Sequence, residues 1–341
     1  MLRRLQITLI GFALTILLTT GETNAAAPPL FDPPLDCLAN ADCFIQKYVD
    51  HDIGPGVRDY RCGPLSGNGH KGTDFRLANF EMMERGVSVR AGADGVIVAI
   101  RKGMPDVHVA LVGKGAVLDR GLGNAVVIDH GDGWRSTYGH LRRGSISVAK
   151  GRKIRRGEIL GQVGLSGLTE FPHVHFQIIH NGAPVDPFTG TSPSRAAQSD
   201  GCRAHTSGSS LWREGWKDVL AYKRIFLLHA GFSNKPMKRA ALQYGLYGRA
   251  TLPRTAKNFL FGVFFAGARE GDVYRLRLFE PSGGVLFDKA QKFTKDSPVR
   301  FIFGGKTNRA TPWPVGEYHA VFDIRSAGDP VLTVKQSVQI R

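Results

Sequence analysis

From about Tyr60 to Ile179 the chain alternates short apolar runs with glycine-bearing turns. Val87-Ser88-Val89, Gly95 to Ile100, Ala125 to Asp129, Arg135 to Tyr138, Ile159 to Val163 and Val174 to Ile179 each have the length and composition of a strand. Asp94-Gly95, Asp132-Gly133 and Arg156-Gly157 punctuate them as turns. A second series begins near Asn258, with runs at Phe259 to Phe265, Val273 to Phe279, Val285 to Phe287, Val299 to Phe303, Tyr318 to Ile324 and Val331 to Ile340. Tyr274-Arg275-Leu276-Arg277-Leu278 alternates as a half-buried strand does. Runs at this spacing predict a small β-sandwich, immunoglobulin-like in outline. Between the two series, Leu211 to Leu228 has helical spacing, with Trp212, Trp216, Val219 and Leu220 on one face. The chain reads as mainly β.

Other segments divide it further. Arg3 and Arg4, an apolar run from Leu5 to Leu18 and small residues at Thr23-Asn24-Ala25-Ala26-Ala27 form the three parts of a secretory signal peptide. The run is too short and too rich in Thr and Gly to span a bilayer comfortably. The expected organisation is a signal peptide over 1–25 and a segment bearing Pro and Cys over 26–59. A first β domain over 60–190, a linker with a helical segment over 191–250 and the sandwich over 251–341 follow. A loop from Gly103 to Gly123 interrupts the first β series, and long loops in compact domains are often functional.

Export changes the meaning of composition and cysteines. At 341 residues, with 42% apolar and 22% charged residues, the chain can fill two cores. Its net charge of +16 calls for an anionic partner. In an exported protein that is an envelope polymer or headgroup rather than nucleic acid, and no stable membrane insertion is expected after cleavage. Cys37, Cys43, Cys62 and Cys202 form an even set, for which disulfides are expected and three pairings exist. Cys37 with Cys43 and Cys62 with Cys202 is favoured, the first closing a local loop and the second clipping the flanks of one domain. No CxxC spacing supports metal binding by these thiols.

The chemistry concentrates in three pieces. These are Gly69-His70-Lys71-Gly72-Thr73-Asp74-Phe75, Tyr138-Gly139-His140-Leu141, and Gly164-Leu165-Ser166-Gly167 followed by Pro172-His173-Val174-His175-Phe176. Residues two apart on a strand share a face, so His173 and His175 stand side by side. Such a pair either binds a metal or combines a ligand with an acid/base partner. His70 and Asp74 offer a nitrogen and a carboxylate oxygen. Three protein ligands with an open position make a catalytic zinc site, whereas four make a structural one. Each motif alone is a weak signal; their joint appearance in order, with His140 between, is a strong one.

Together these pieces resemble the lysostaphin-type zinc endopeptidases, the LytM or peptidase M23 family, over roughly Tyr60 to Asp186. The resemblance implies a LytM-like antiparallel β domain with His70, Asp74 and His175 as zinc ligands and His140 and His173 as the catalytic pair. It implies hydrolysis of peptide cross-links in bacterial peptidoglycan, in a Gram-negative periplasm with D-Ala–diaminopimelate bonds as the expected target. The alternative is a non-enzymatic LytM-like regulator or wall-binding activator of another peptidoglycan hydrolase, since some family members have lost ligands. All five positions are filled here. Asn124, Tyr138 and Ser166, beside the motifs, are expected to line the groove. His130 is expected to be structural at a turn, and His51, His108, His180, His205, His229 and His319 to be surface or packing residues.

Overall fold

A computed structural model of the chain describes residues 27–38, 42–193, 210–307 and 312–341. The expected signal peptide, Cys202 and His205 lie outside the described residues. Ten strands precede the serine-rich stretch: β1 Cys43–Lys47, β2 Thr73–Leu77, β3 Ser88–Arg90, β4 Gly95–Arg101, β5 Asn124–Gly131, β6 Trp134–Leu141, β7 Lys153–Ile154, β8 Ile159–Gln162, β9 His173–His180 and β10 Ala183–Val185. Eight of them form one antiparallel sheet in the order β1-β2-β9-β6-β5-β4-β7, with β10 on β9, and β3 pairs with β8. The chain is mainly β, as its pattern predicts.

One face of this sheet closes on an apolar core. Phe75, Val174, Phe176 and Ile178 point into it, joined by Phe31 and Leu35 from the segment before β1 and by Leu211, Trp212 and Leu220 from beyond β10. Burying each such side chain is worth about 1.5–3 kcal/mol. The helix expected over Leu211 to Leu228 does not form. Leu211 and Arg213 exchange backbone hydrogen bonds with Phe31 instead, a 3-10 turn spans Glu214–Trp216, and the run ends inside a strand. Trp212 and Leu220 recur at helical spacing because both reach the first core. A short apolar run cannot distinguish that from a helix face.

Eight strands follow: β11 Phe226–Ser233, β12 Thr251–Leu252, β13 Asn258–Ala268, β14 Val273–Phe279, β15 Val285–Lys292, β16 Ser297–Thr307, β17 Gly316–Ser326 and β18 Asp329–Ile340. They make a three-stranded sheet, β11-β13-β16, and a five-stranded sheet, β12-β18-β17-β14-β15. The two face each other across a shared core in which Phe259 meets Tyr318 and Phe265 meets Phe322, at ring distances of 4.8 and 5.4 Å. The second body also touches the first. Phe44 of β1 stacks on Phe226 of β11 at 4.6 Å, and Phe80 stacks on Tyr244 at 4.9 Å. The side chains of edge strand β1 thereby gain cover, one way of protecting a sheet edge.

Cys37 and Cys43 are bridged, with Cα atoms 5.6 Å apart, which ties the Pro-bearing segment to the start of β1. Cys62 is also disulfide-bonded. Its expected partner, Cys202, lies outside the described residues.

Candidate functional site

Sheet register builds the site. Asp74 on β2 lies opposite His175 on β9, and His175 lies opposite Gly139 on β6, so these positions form one row across the sheet. Directly paired residues share a face. On β9, Val174 and Phe176 enter the core while His173 and His175 face the other way, into an open groove of about 850 Å³. His140 joins them by a backbone device. Its φ of +58° is uncommon for a residue with a Cβ and turns the chain after core residue Tyr138, so the imidazole lines the groove. The His140 N–H donates to the Leu122 carbonyl (2.7 Å), which locks the turn against the 103–123 loop. Gly72 is required by proximity: a Cβ there would lie 2.6 Å from the Phe176 carbonyl and 2.7 Å from His175 Nε2.

His70 Nδ1 donates to the Tyr48 carbonyl (2.8 Å), so its Nε2 presents a lone pair, 3.0 Å from Asp74 Oδ1. His175 Nδ1 is 2.9 Å from the same oxygen. The donor atoms of His70, Asp74 and His175 all lie within 4.8 Å of one another. Lone pairs gathered this closely repel unless a proton or a cation stands between them. Two imidazoles and a carboxylate are a donor set that suits zinc, so these residues fit the metal that the motifs imply.

His140 and His173 form a second pair, with rings 4.4 Å apart. His140 Nδ1 donates to the Ser166 carbonyl (2.7 Å) and His173 Nδ1 to the Phe171 carbonyl (2.9 Å), leaving each Nε2 as the free nitrogen. Burial pushes His173 down to about 4 and holds His140 well below the usual imidazole value, where His173 and His175 add to the effect. Both are neutral at neutral pH and can accept a proton. Around Asp74 burial acts in the opposite sense but is outweighed by His70, His173 and His175, which hold the carboxyl ionised. Burial also opposes the charged form of His70, yet the Asp74 carboxylate raises it above its ordinary value.

The structure therefore gathers all five predicted side chains on one groove. It corrects three others. Asn124, Tyr138 and Ser166 do not line the groove but support it from within. Asn124 bonds the Met104 and Leu141 backbone, Ser166 Oγ donates to the Leu141 carbonyl, and the Tyr138 hydroxyl accepts from Gly92 N–H. His130 bridges the Asp94 carbonyl and Ser136 Oγ, a structural role. His51 is buried against Asp186 at 2.7 Å, a partner 135 residues away that no local spacing could reveal.

Two further contributors lie outside the three motifs. Asp50 accepts from Gly69 and Arg58 N–H, and its own N–H donates to the His70 carbonyl, so the segment before residue 60 holds the His70 turn. The 103–123 loop, which carries a short helix at Val109–Val112, forms a groove wall through Val109, Lys114, Leu118 and Leu122.

Residues 68–187 match the profile described as Peptidase family M23. The chain is 36% identical over 126 residues to the DD-carboxypeptidase/endopeptidase Mpg of Neisseria meningitidis serogroup B, covering 37% of this chain and 23% of that protein. It is 34% identical over 124 residues to the peptidoglycan DD-endopeptidase ShyA of Vibrio cholerae, covering 36% and 23%. Among solved structures, a zinc-containing peptidase from Vibrio cholerae aligns with 26% identity and a TM-score of 0.32, over 46% of this chain and 39% of that one. The chain spans about a quarter of the length of these two curated relatives, and its second body lies outside the family match.

Proposed function

From the premise that residues 68–187 form a peptidase family M23 domain, we propose that this chain is an exported, periplasmic zinc endopeptidase that hydrolyses peptide cross-links of bacterial peptidoglycan. The observation that carries the reading is the convergence of the His70, Asp74 and His175 donor atoms beside the neutral His140–His173 pair. Zinc held by His70, Asp74 and His175 would supply Lewis acidity for the scissile carbonyl and for water. His140 and His173, each with Nδ1 fixed on a backbone carbonyl, present Nε2 to the groove. There each can take up a proton or donate to a developing oxyanion. Two relatives named for DD-endopeptidase activity support the substrate class. Against the regulator alternative stands the grouping of all five side chains on one groove.

The test is digestion of purified sacculi by the full-length chain, with mass analysis of the released fragments. A chelator is expected to abolish release and added Zn²⁺ to restore it. Hydrolysis unchanged in metal-free protein would refute the mechanism, and release of fragments with intact peptide bonds would refute the substrate.

A further inference from the structure

The row that places Asp74 opposite His175 continues one strand further. Lys47 on β1 lies directly opposite Asp74, so its side chain starts on the same face. A bulge between Ile45 and Lys47 shifts the register there, and such bulges re-aim side chains beside functional sites. Lys47 lines the groove together with His70, His140, His173 and His175, and its charge acts on His70 and His173. It is half-buried, and among the described residues it has no hydrogen-bond or ion-pair partner. Asp74 is already committed to His70 and His175. Lys71 and Lys114 add two exposed cations to the groove, against Glu170 as its one further carboxylate. An ammonium beside the groove without a counter-ion is free to pair with a carboxylate that a ligand brings.

We propose that Lys47 binds a carboxylate of the substrate peptide, so that the groove selects peptides with a free carboxylate close to the bond that is cut. The proposal rests on the endopeptidase reading for the cut, but not for the binding. An ammonium offers three donors and a compact charge, which suits a single carboxylate oxygen in a site already crowded by imidazoles. Lys47 also precedes residues 68–187, so the family match does not cover it.

Two synthetic cross-linked peptides of one sequence test it, one with the free carboxylate and one with the carboxamide. The zinc-loaded full-length chain is compared with Lys47→Met and Lys47→Arg for Kd, KM and kcat. Wild type is expected to favour the acid by about 10- to 100-fold, mainly in Kd and KM, as charged hydrogen bonds do. Lys47→Met should lose that preference and Lys47→Arg should keep most of it. Since Lys47 also borders the contact with the second body, Lys47→Gln replaces Lys47→Met if the latter folds poorly. A preference that survives neutralisation of Lys47, or its absence in wild type, overturns the proposal. Wild type that binds with the acid preference but cuts neither peptide would instead sink the endopeptidase reading and leave the carboxylate site standing.

Discussion

Beyond Ile225 the buried interior is almost wholly apolar: Phe259, Phe261, Phe265, Tyr318 and Phe322 fill it, and among the described residues only Ser233, Asp272 and Ser297 are buried polar groups. The body before it buries Asp50, Asp59, Asp74, Arg76, Asn124, His140, His173 and His175, among others. Burying such groups costs free energy unless each finds a partner. Most do. Asp59 accepts from the Arg61, Gly63 and Leu65 N–H groups and from the Tyr222 hydroxyl. Arg76 spreads its charge over the Phe171 ring at 4.4 Å, and burial pulls it down to about 9. Among the described residues the buried side-chain atoms without a hydrogen bond are Thr73 Oγ1 and Trp212 Nε1 in this body and the Nε atoms of Arg269, Arg277 and Arg300 in the other. Apart from these, the lone pairs of His70, Asp74 and His175 converge, and the half-buried Lys47 beside them has no ion-pair partner. What sets the first body apart is that its unpaired groups converge on one groove, where something from solvent would complete them.

That contrast can be broken in several ways. The largest effect is expected from a chain ending at Ser210, which deletes Leu211, Trp212 and Leu220 from the first core. It should fail to fold and bind no zinc, read by circular dichroism and metal content. A folded, zinc-loaded product would show that this stretch is a linker after all. His140→Ala should lower turnover by about 10²–10⁴ with zinc content and Tm nearly unchanged, whereas His175→Ala should lose zinc. Reversed metal contents would overturn the division between the two sets of histidines.

In the second body, Phe265→Ala should cost about 3–5 kcal/mol in denaturant unfolding and leave the zinc content of the folded protein intact. Loss of zinc with that variant would mean that the two bodies are not separable in function. The pH dependence of the metal-free chain follows from His173. Its folded value of about 4 lies below the ordinary 6.5, so between those pH values the unfolded chain holds the proton more tightly. Stability should therefore fall as pH drops through this window, by about 3 kcal/mol from His173. His140 acts in the same direction, and the raised value of His70 opposes both. A Tm that rose on acidification from 6.5 to 4 would contradict this account of the buried imidazoles. The smallest effect belongs to the outer face of the second body. A double-mutant cycle on Arg277 and Asp323, 2.8 Å apart and partly exposed, should show a coupling below about 1 kcal/mol.

Much of this protein was legible without a structure, and for a physical reason. Strand runs such as Val273 to Phe279 and Val174 to Ile179 carry a period of two that each segment imposes on itself, and the structure places strands there. Four of the groove residues were legible from local spacing, His173 and His175 two apart on one strand and His70 and Asp74 four apart across a turn, whereas His140 was legible only from the family resemblance of Tyr138-Gly139-His140-Leu141. What tertiary structure alone decided depends on pairing between distant segments. Register with β2 brings Lys47 to the groove, and backbone contacts bring Tyr48 and Asp50 to His70, although all three precede the motifs. The left-handed turn at His140 sends that side chain away from Tyr138, which no period-two pattern would predict. Leu211 to Leu228 looked helical because helical spacing and attachment to a remote core produce the same short apolar pattern. Only the hydrogen bonds with Phe31, far away in sequence, separate the two. Local propensity acts over a few residues; register, burial and the face a side chain takes are settled by partners that the chain meets only when folded.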